Sequence, residues 1–393
     1  MKTSTKRLLT SAFYSSLVSC IILGILSIAF LNIRFFNPFE KAFQDFSFLD
    51  VYFSEQLNED PSINSEIVLV NIEKHDRTVI TSLLNSIIKA DPKVIGFDII
   101  LKEKKLHDAA DSLLARLLKN DKIVTSFEIT EQGLIKNDDF FGHNPNESFV
   151  NFNFNEENVI RKFLGVKEID SQIYYSFAAK VVQKYMSQEY WIKQDFNNKL
   201  KSEQYINYSG NLEKFPVLSG TDLLFNEQDL FLKDKIVILG YLGVSDMVND
   251  YDIEDKEWTP LNKEITGKSD RDMYGAVVHA NIINMLIKNN TIKTISNFWL
   301  ILFTILSIYL STVVYLRLYI KYKDTYGVRI QIYQLIFSIV LLLTSFWFLR
   351  NNIVLKPILI ILGIIVSGSY FEYHDEVFKF LSKKLNIKIN HYE

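Results

Sequence analysis

A single cysteine, Cys20, stands in 393 residues. An internal disulfide has no second thiol, and a structural zinc site built on several cysteines is excluded. An excess of one charge is missing too. Lys and Arg number 43 against 46 Asp and Glu, a net charge of -3, so no basic surplus marks a nucleic-acid binder. The P-loop, GxGxxG, HExxH and GxSxG patterns are absent, which removes the usual marks of nucleotide, zinc-hydrolase and serine-hydrolase chemistry. Three His-Asp pairs, His75-Asp76, His107-Asp108 and His374-Asp375, are of a kind found in metal phosphohydrolases. Their surroundings match no ligand spacing, and an Asp capping a helix is the plainer reading. No catalytic residue, metal or cofactor is expected, and the chain is not read as an enzyme.

Charge is also missing from long apolar runs. Residues 8–31, 297–316 and 330–349 carry none, and 353–371 carries only Lys356 near its start. At about 1.5 Å per residue each run approaches or exceeds a hydrocarbon core of about 30 Å. Four spanning helices are expected, one N-terminal and three C-terminal, with membrane lipid as a partner. The scarcity of ionisable groups inside them argues against a transport pathway. LVSC at 17–20 resembles a lipoprotein processing box, but the apolar run continues through 21–31, so Cys20 reads as a small apolar residue within a helix.

Basic residues set an orientation. Lys2, Lys6 and Arg7 precede the first run, Arg317, Lys321, Lys323 and Arg329 separate the second from the third, and Lys379, Lys383, Lys384 and Lys388 follow the fourth. All three clusters fall on one face when four helices span. Both termini, with the tail 372–393, are then cytoplasmic, and residues 40–290 form a large extracytoplasmic domain on a bacterial inner membrane. Arg350 is the one contrary charge.

That middle stretch has the mixed composition of a folded domain. Apolar runs at 67–72, 94–100, 122–129 and 235–243 predict buried strands. Helical spacing of apolar residues predicts helices over 76–90, 108–119, 171–185 and 274–288, the last two-faced. Strand and helix alternate, which implies an α/β fold with a mainly parallel sheet flanked by helices. Residues 148–155 and 159–168 alternate and predict an antiparallel hairpin, and 204–210 a short strand. The helix at 274–288 runs almost directly into the second apolar run, so a shift in the domain has a short route to the membrane helices.

In an open parallel sheet, ligands bind beyond the carboxyl ends of the strands. Glu73, Asp98, Glu128 and Asp246 follow the four strong strands, and Tyr274 and Gly275 approach from the start of the last helix. If these acids converge, they form a pocket suited to a cation or an amine; otherwise they cap helices or face solvent.

Six segments in order, DFSF from Asp45, IVLVNIEKHD, ADPKVIGFDI, FVNFNFNEENVIRKF, LKDKIVILGYLGVSD and YGAVVHANIINMLI, with a TP pair at Thr259-Pro260, resemble the second CHASE type of extracytoplasmic sensory domain. The resemblance runs from about residue 45 to 288. It implies one spanning helix before the domain and three after it, and it makes His279 on the last helix notable, although a histidine satisfied in the core is the plainer alternative. Members often continue into an output module, whereas this chain stops at Glu393. The expectation is a sensor acting through a separate membrane or signalling partner, with a homo-oligomer open. The alternative is a structural or accessory subunit of a cell-envelope complex.

Overall fold

A computed structural model of the chain describes residues 2–32, 48–55, 62–105, 109–152, 158–225, 231–244, 254–262 and 270–371. The chain divides into two compact units: Met1–Ala42 with Lys293–Glu393, and Phe43–Ile292. Helix α1 (Lys2–Asn32) opens the first unit and runs without interruption through Cys20, which is half-buried.

The second unit begins with α2 (Phe48–Ser54) and is organised by a seven-stranded sheet. Strands β1 (Ile67–Asn71), β2 (Val94–Phe97), β3 (Ile123–Thr130), β4 (Gly133–Ile135) and β5 (Glu147–Phe149) come first. Helices α3 (Arg77–Lys89) and α4 (Ala109–Leu117) alternate with the first three. Asp76 caps α3 by accepting from Val79 N at 3.0 Å, so this His-Asp pair does the ordinary capping work of a helix start. The pairs at 107–108 and 374–375 lie outside the described residues.

The predicted hairpin over 148–155 and 159–168 is not what the described residues form. Strand β5 lies parallel to β3, with Ser126 opposite Ser148. Strand β6 (Lys162–Phe163) pairs with β9 (Gln204–Tyr205), and β7 (Val166–Ile169) with β8 (Gln172–Tyr175). Alternation gives the faces of a strand and says nothing of its neighbour. The helix expected from 171 starts later, as α5 (Phe177–Tyr185), where Ser176 supplies the cap through Ala179 N. Two short helices follow, α6 (Gln188–Lys193) and α7 (Phe196–Lys199).

Strand β10 (Val217–Ser219), unforeseen in the sequence, lies parallel to β1 at the sheet edge and leads into α8 (Gly220–Phe225). Strand β11 (Ile236–Gly240) enters between β1 and β2, giving the order β10-β1-β11-β2-β3-β4, with β5 also on β3. All pairings are parallel except β3 with β4. Every residue of β1, β2 and β11 is buried, the reason these strands read as unbroken apolar runs.

A two-stranded ribbon, β12 (Lys256–Glu257) with β13 (Met273–Tyr274), precedes α9 (Gly275–Ile287). Sequence spacing predicts two faces for this helix, but every residue from Gly275 to Leu286 is buried. A helix apolar all round is one enclosed on all sides. Its two asparagines are satisfied by distant parts of the chain: Asn281 accepts from Ser209 N at 2.8 Å, and Asn284 accepts from Asn64 Nδ2 at 2.8 Å.

The first unit resumes with β14 (Lys293–Thr294), paired parallel to β15 (Ile353–Val354). Helices α10 (Asn297–Lys321), α11 (Tyr326–Arg350) and α12 (Ile358–Phe371) complete it. Ala12, Leu300, Leu316, Ile330, Ile360 and Ile364 share one buried cluster. Among the described residues, three helices are long and apolar enough to cross a membrane: Thr5–Ile28 within α1, α10 and α11. The fourth expected run behaves differently. Residues 353 and 354 join a strand, and α12 has 14 residues up to Phe371, a rise of about 21 Å.

Candidate functional site

Beyond the carboxyl ends of β2, β3 and β5 lies a cleft of about 590 Å³, within the usual size range of small-molecule sites, about 300–1,000 Å³. Four carboxyl groups line it: Asp98, Glu128, Asp255 and Glu257. Asp98 is the first residue past β2, held by its N–H to Leu239 O at 2.9 Å. Glu128 lies near the end of β3. Asp255 and Glu257 come from the ribbon that precedes α9, and Gly275 N donates to Asp255 O at 3.0 Å. The start of α9 is thereby pinned to the acidic wall.

Close backbone approach makes room for this arrangement. A Cβ on Gly240 would sit 3.1 Å from Ala276 Cβ and 3.7 Å from Asp98 Oδ2. A Cβ on Gly96 would meet Phe177 Cζ at 2.6 Å, so glycine in β2 lets that ring reach the sheet. The ring of His279, one turn into α9, then lies 4.8 Å from Phe177 and 4.5 Å from Phe152. His279 is 3% exposed and lines the cleft, and its Nδ1 has no hydrogen-bond partner.

The electrostatics follow from enclosure and crowding. Burial, and next the charge of Asp255, push the Asp98 carboxyl up to about 7, against a weak bond from Ser126 Oγ at 3.4 Å. Burial, then Glu257 and Glu254, push Asp255 up to about 6. Burial raises Glu257 as well, opposed by Arg271. Burial alone pushes the His279 imidazole down to about 3, so it is neutral near pH 7. Among the described residues none of the four carboxyls forms an ion pair. The guanidinium of Arg271 lies 4.8 Å over the Trp258 ring and donates to Lys256 O at 3.1 Å. The charge left in the cleft is negative, and an unpaired enclosed carboxylate favours an arriving cation.

Of the residues singled out in the sequence, the structure brings Asp98, Glu128, Gly275 and His279 together. Glu73 does not line the cleft. It sits at a left-handed turn, φ 47°, after β1, where its N–H is held by Asn71 Oδ1 at 2.9 Å and its carboxylate lies 3.7 Å from His75 Nε2. Tyr274 also stands off the cleft wall, its ring 6.1 Å from Tyr241 with Lys256 Nζ 5.0 Å over it. Asp246 lies outside the described residues.

Asp255, Glu257, Trp258 and Arg271 were not foreseen as site residues. Their ribbon lacks a strong apolar pattern, and the signal available was the TP pair beside it. Thr259 is fully buried, and its N–H donates to Asp272 Oδ1 at 2.7 Å. The pair therefore fastens the ribbon that carries the acids. Among the described residues, no three His, Cys, Asp or Glu side chains converge closely enough to hold a metal ion.

Comparison with curated proteins finds no match, and none is found among solved structures. The CHASE2 domain family matches residues 20–314, which takes in the whole cleft and reaches into α1 and α10. By that match the chain belongs to the CHASE2 domain family, a family of CHASE-type sensory domains.

Proposed function

We propose that this protein is a membrane-anchored sensor that takes a cationic small molecule into the acidic cleft and passes its occupancy along α9. One observation carries the reading: Gly275 and His279, on the first turns of α9, line the cleft, and the same helix ends at Ile287, shortly before α10 begins at Asn297. A ligand held by the ribbon and the strand ends bears on α9 directly. Movement of α9 then has little intervening chain in which to be lost, as a two-state element requires.

In this reading four helices span a bacterial inner membrane, the apolar run 353–371 supplying the fourth. The placement of Lys and Arg favours both termini in the cytoplasm and the central domain outside it. A membrane or signalling protein, or a second copy of the chain, receives the output.

Topology and coupling are tested in one protein. In a Cys20→Ser background, Glu254→Cys should react with a membrane-impermeant maleimide on intact cells, and Lys321→Cys only after lysis. The reverse pattern contradicts the orientation. A fluorescent maleimide on Lys321→Cys should change emission when Asp98→Asn and Asp255→Asn neutralise the cleft. Unchanged emission would separate the cleft from the apolar helices and remove the signalling role of α9.

A further inference from the structure

We infer that the cleft is built for a linear polyamine, a flexible methylene chain bearing two or more ammonium groups, with one ammonium held between Asp98 and Asp255. This rests on the reading of the cleft as a ligand site and names the class of ligand. Four carboxyls face one cavity with a single guanidinium, Arg271, among its lining residues. That guanidinium is already engaged with Lys256 O at 3.1 Å and the Trp258 ring at 4.8 Å. Asp98, half-buried, and Asp255, at the exposed side of the cleft, are left with each other. Asp98 bears the charge of Asp255, and Asp255 bears those of Glu257 and Glu254. An ammonium between them relieves that repulsion.

His279 supplies an observation independent of the acids. Its ring is 3% exposed, lines the same cleft and carries an Nδ1 without a hydrogen-bond partner. A neutral imidazole has one N–H and one nitrogen with a free lone pair; in the tautomer that leaves the lone pair on Nδ1, that atom accepts an N–H from an amine. An unmet polar atom in an enclosed place is costly unless a solute completes it.

Two further features select among cations. A metal ion needs several ligands converging on one point, and among the described residues no three acids or histidines do so. The cavity measures about 590 Å³, against about 30 Å³ for one water, so a single small ion would leave most of it unfilled. Phe152 and Trp258 add aromatic wall to the same cavity. Such rings accept both methylene groups and cations. Four carboxyls that do not converge on one point, in a cavity with aromatic wall, fit charges separated along a flexible chain.

The test is thermal melting of the full-length protein in detergent at matched ionic strength. The probes are spermidine, putrescine, n-butylamine, glycine and calcium chloride. Spermidine should raise Tm by several degrees, putrescine by less and the other three hardly at all. Asp98→Asn and Asp255→Asn, each expected to fold, should each weaken spermidine about tenfold or more, the loss of about 1.4 kcal/mol. Equal shifts in wild type and both variants would mean attraction to the surface and overturn the inference. A shift from butylamine, glycine or calcium as large as that from spermidine, abolished by Asp98→Asn, would overturn the polyamine assignment while leaving the cleft a ligand site. No shift with any probe also overturns the inference, and the emission measurement on Lys321→Cys then decides the cleft reading separately.

Discussion

In the apolar helices several buried hydroxyls turn back on their own helix. Ser19 donates to Ser15 O at 3.0 Å, Thr304 to Leu300 O at 2.8 Å, Thr312 to Ile308 O at 2.8 Å and Ser345 to Leu341 O at 3.0 Å. The central domain treats its enclosed polar groups in two other ways. Arg161 and Asp50 answer one another through two bonds, Nε to Oδ1 at 2.9 Å and Nη2 to Oδ2 at 2.7 Å. Half-buried Asp98 and the enclosed Nδ1 of His279 are left without such an answer in one cleft. A segment without water must satisfy polar groups internally, whereas a domain in water can hold some open for a solute. Among the described residues, Ser15 Oγ in α1 is the exception, buried without a hydrogen-bond partner.

The largest expected effect comes from breaking the paired charge. Asp50→Ala leaves the Arg161 guanidinium, 4% exposed, buried without its partner. The cost should be about 3–5 kcal/mol, read from chemical denaturation of the full-length protein. A loss under about 1 kcal/mol would mean that water reaches the guanidinium and that the domain is looser than described.

Next is a carboxyl placed where the apolar unit has none. Thr312 is 1% exposed within α10, and Thr312→Asp should cost about 2.5–3.5 kcal/mol if that helix spans lipid. The readout is the yield of folded protein in the membrane fraction, with Thr312→Ser near wild type. Equal yields would argue that α10 does not cross.

The smallest effect has the opposite sign. The Asp98 carboxyl is pushed up to about 7, mainly by burial, so the folded protein holds a proton that the unfolded chain releases at ordinary aspartate acidity. Stability from this group is therefore present at low pH and lost as pH rises toward 7 and beyond. Asp98→Asn removes that loss and should stabilise the protein at pH 8 by about 1–3 kcal/mol, with little effect near pH 4. His279 works the other way. Its imidazole is pushed down to about 3, so stability falls as pH drops below about 6.5, where the unfolded chain takes up the proton. His279→Gln should flatten that acid limb in thermal melts. A melting temperature of Asp98→Asn that tracks wild type across pH would mean that Asp98 is solvated.

The parallel core was legible because β1, β2 and β11 are buried on both sides and therefore written almost wholly in apolar residues. Half of the cleft was legible for a related reason. Asp98 and Glu128 end or follow such runs, and Gly275 opens a strongly apolar helix. The other half comes from the β12–β13 ribbon, only two residues wide on each side. Too little pattern exists there to announce a strand, and what fixes it is the distant bond of Thr259 to Asp272. Residues 159–168 misled because pairing partners such as Gln204–Tyr205 lie far along the chain. The enclosure of α9 on all faces was hidden for the same reason: the partners of its Asn281 and Asn284 come from Ser209 and Asn64.

The most direct measurement is the titration of the Asp98 carboxyl by carbon-13 resonance in the full-length protein in detergent. The account expects a midpoint near 7 that falls clearly when Asp255→Asn removes the neighbouring charge. A midpoint at the ordinary aspartate value, about 3.9, and indifferent to Asp255, would show that these carboxyls do not share an enclosed cleft.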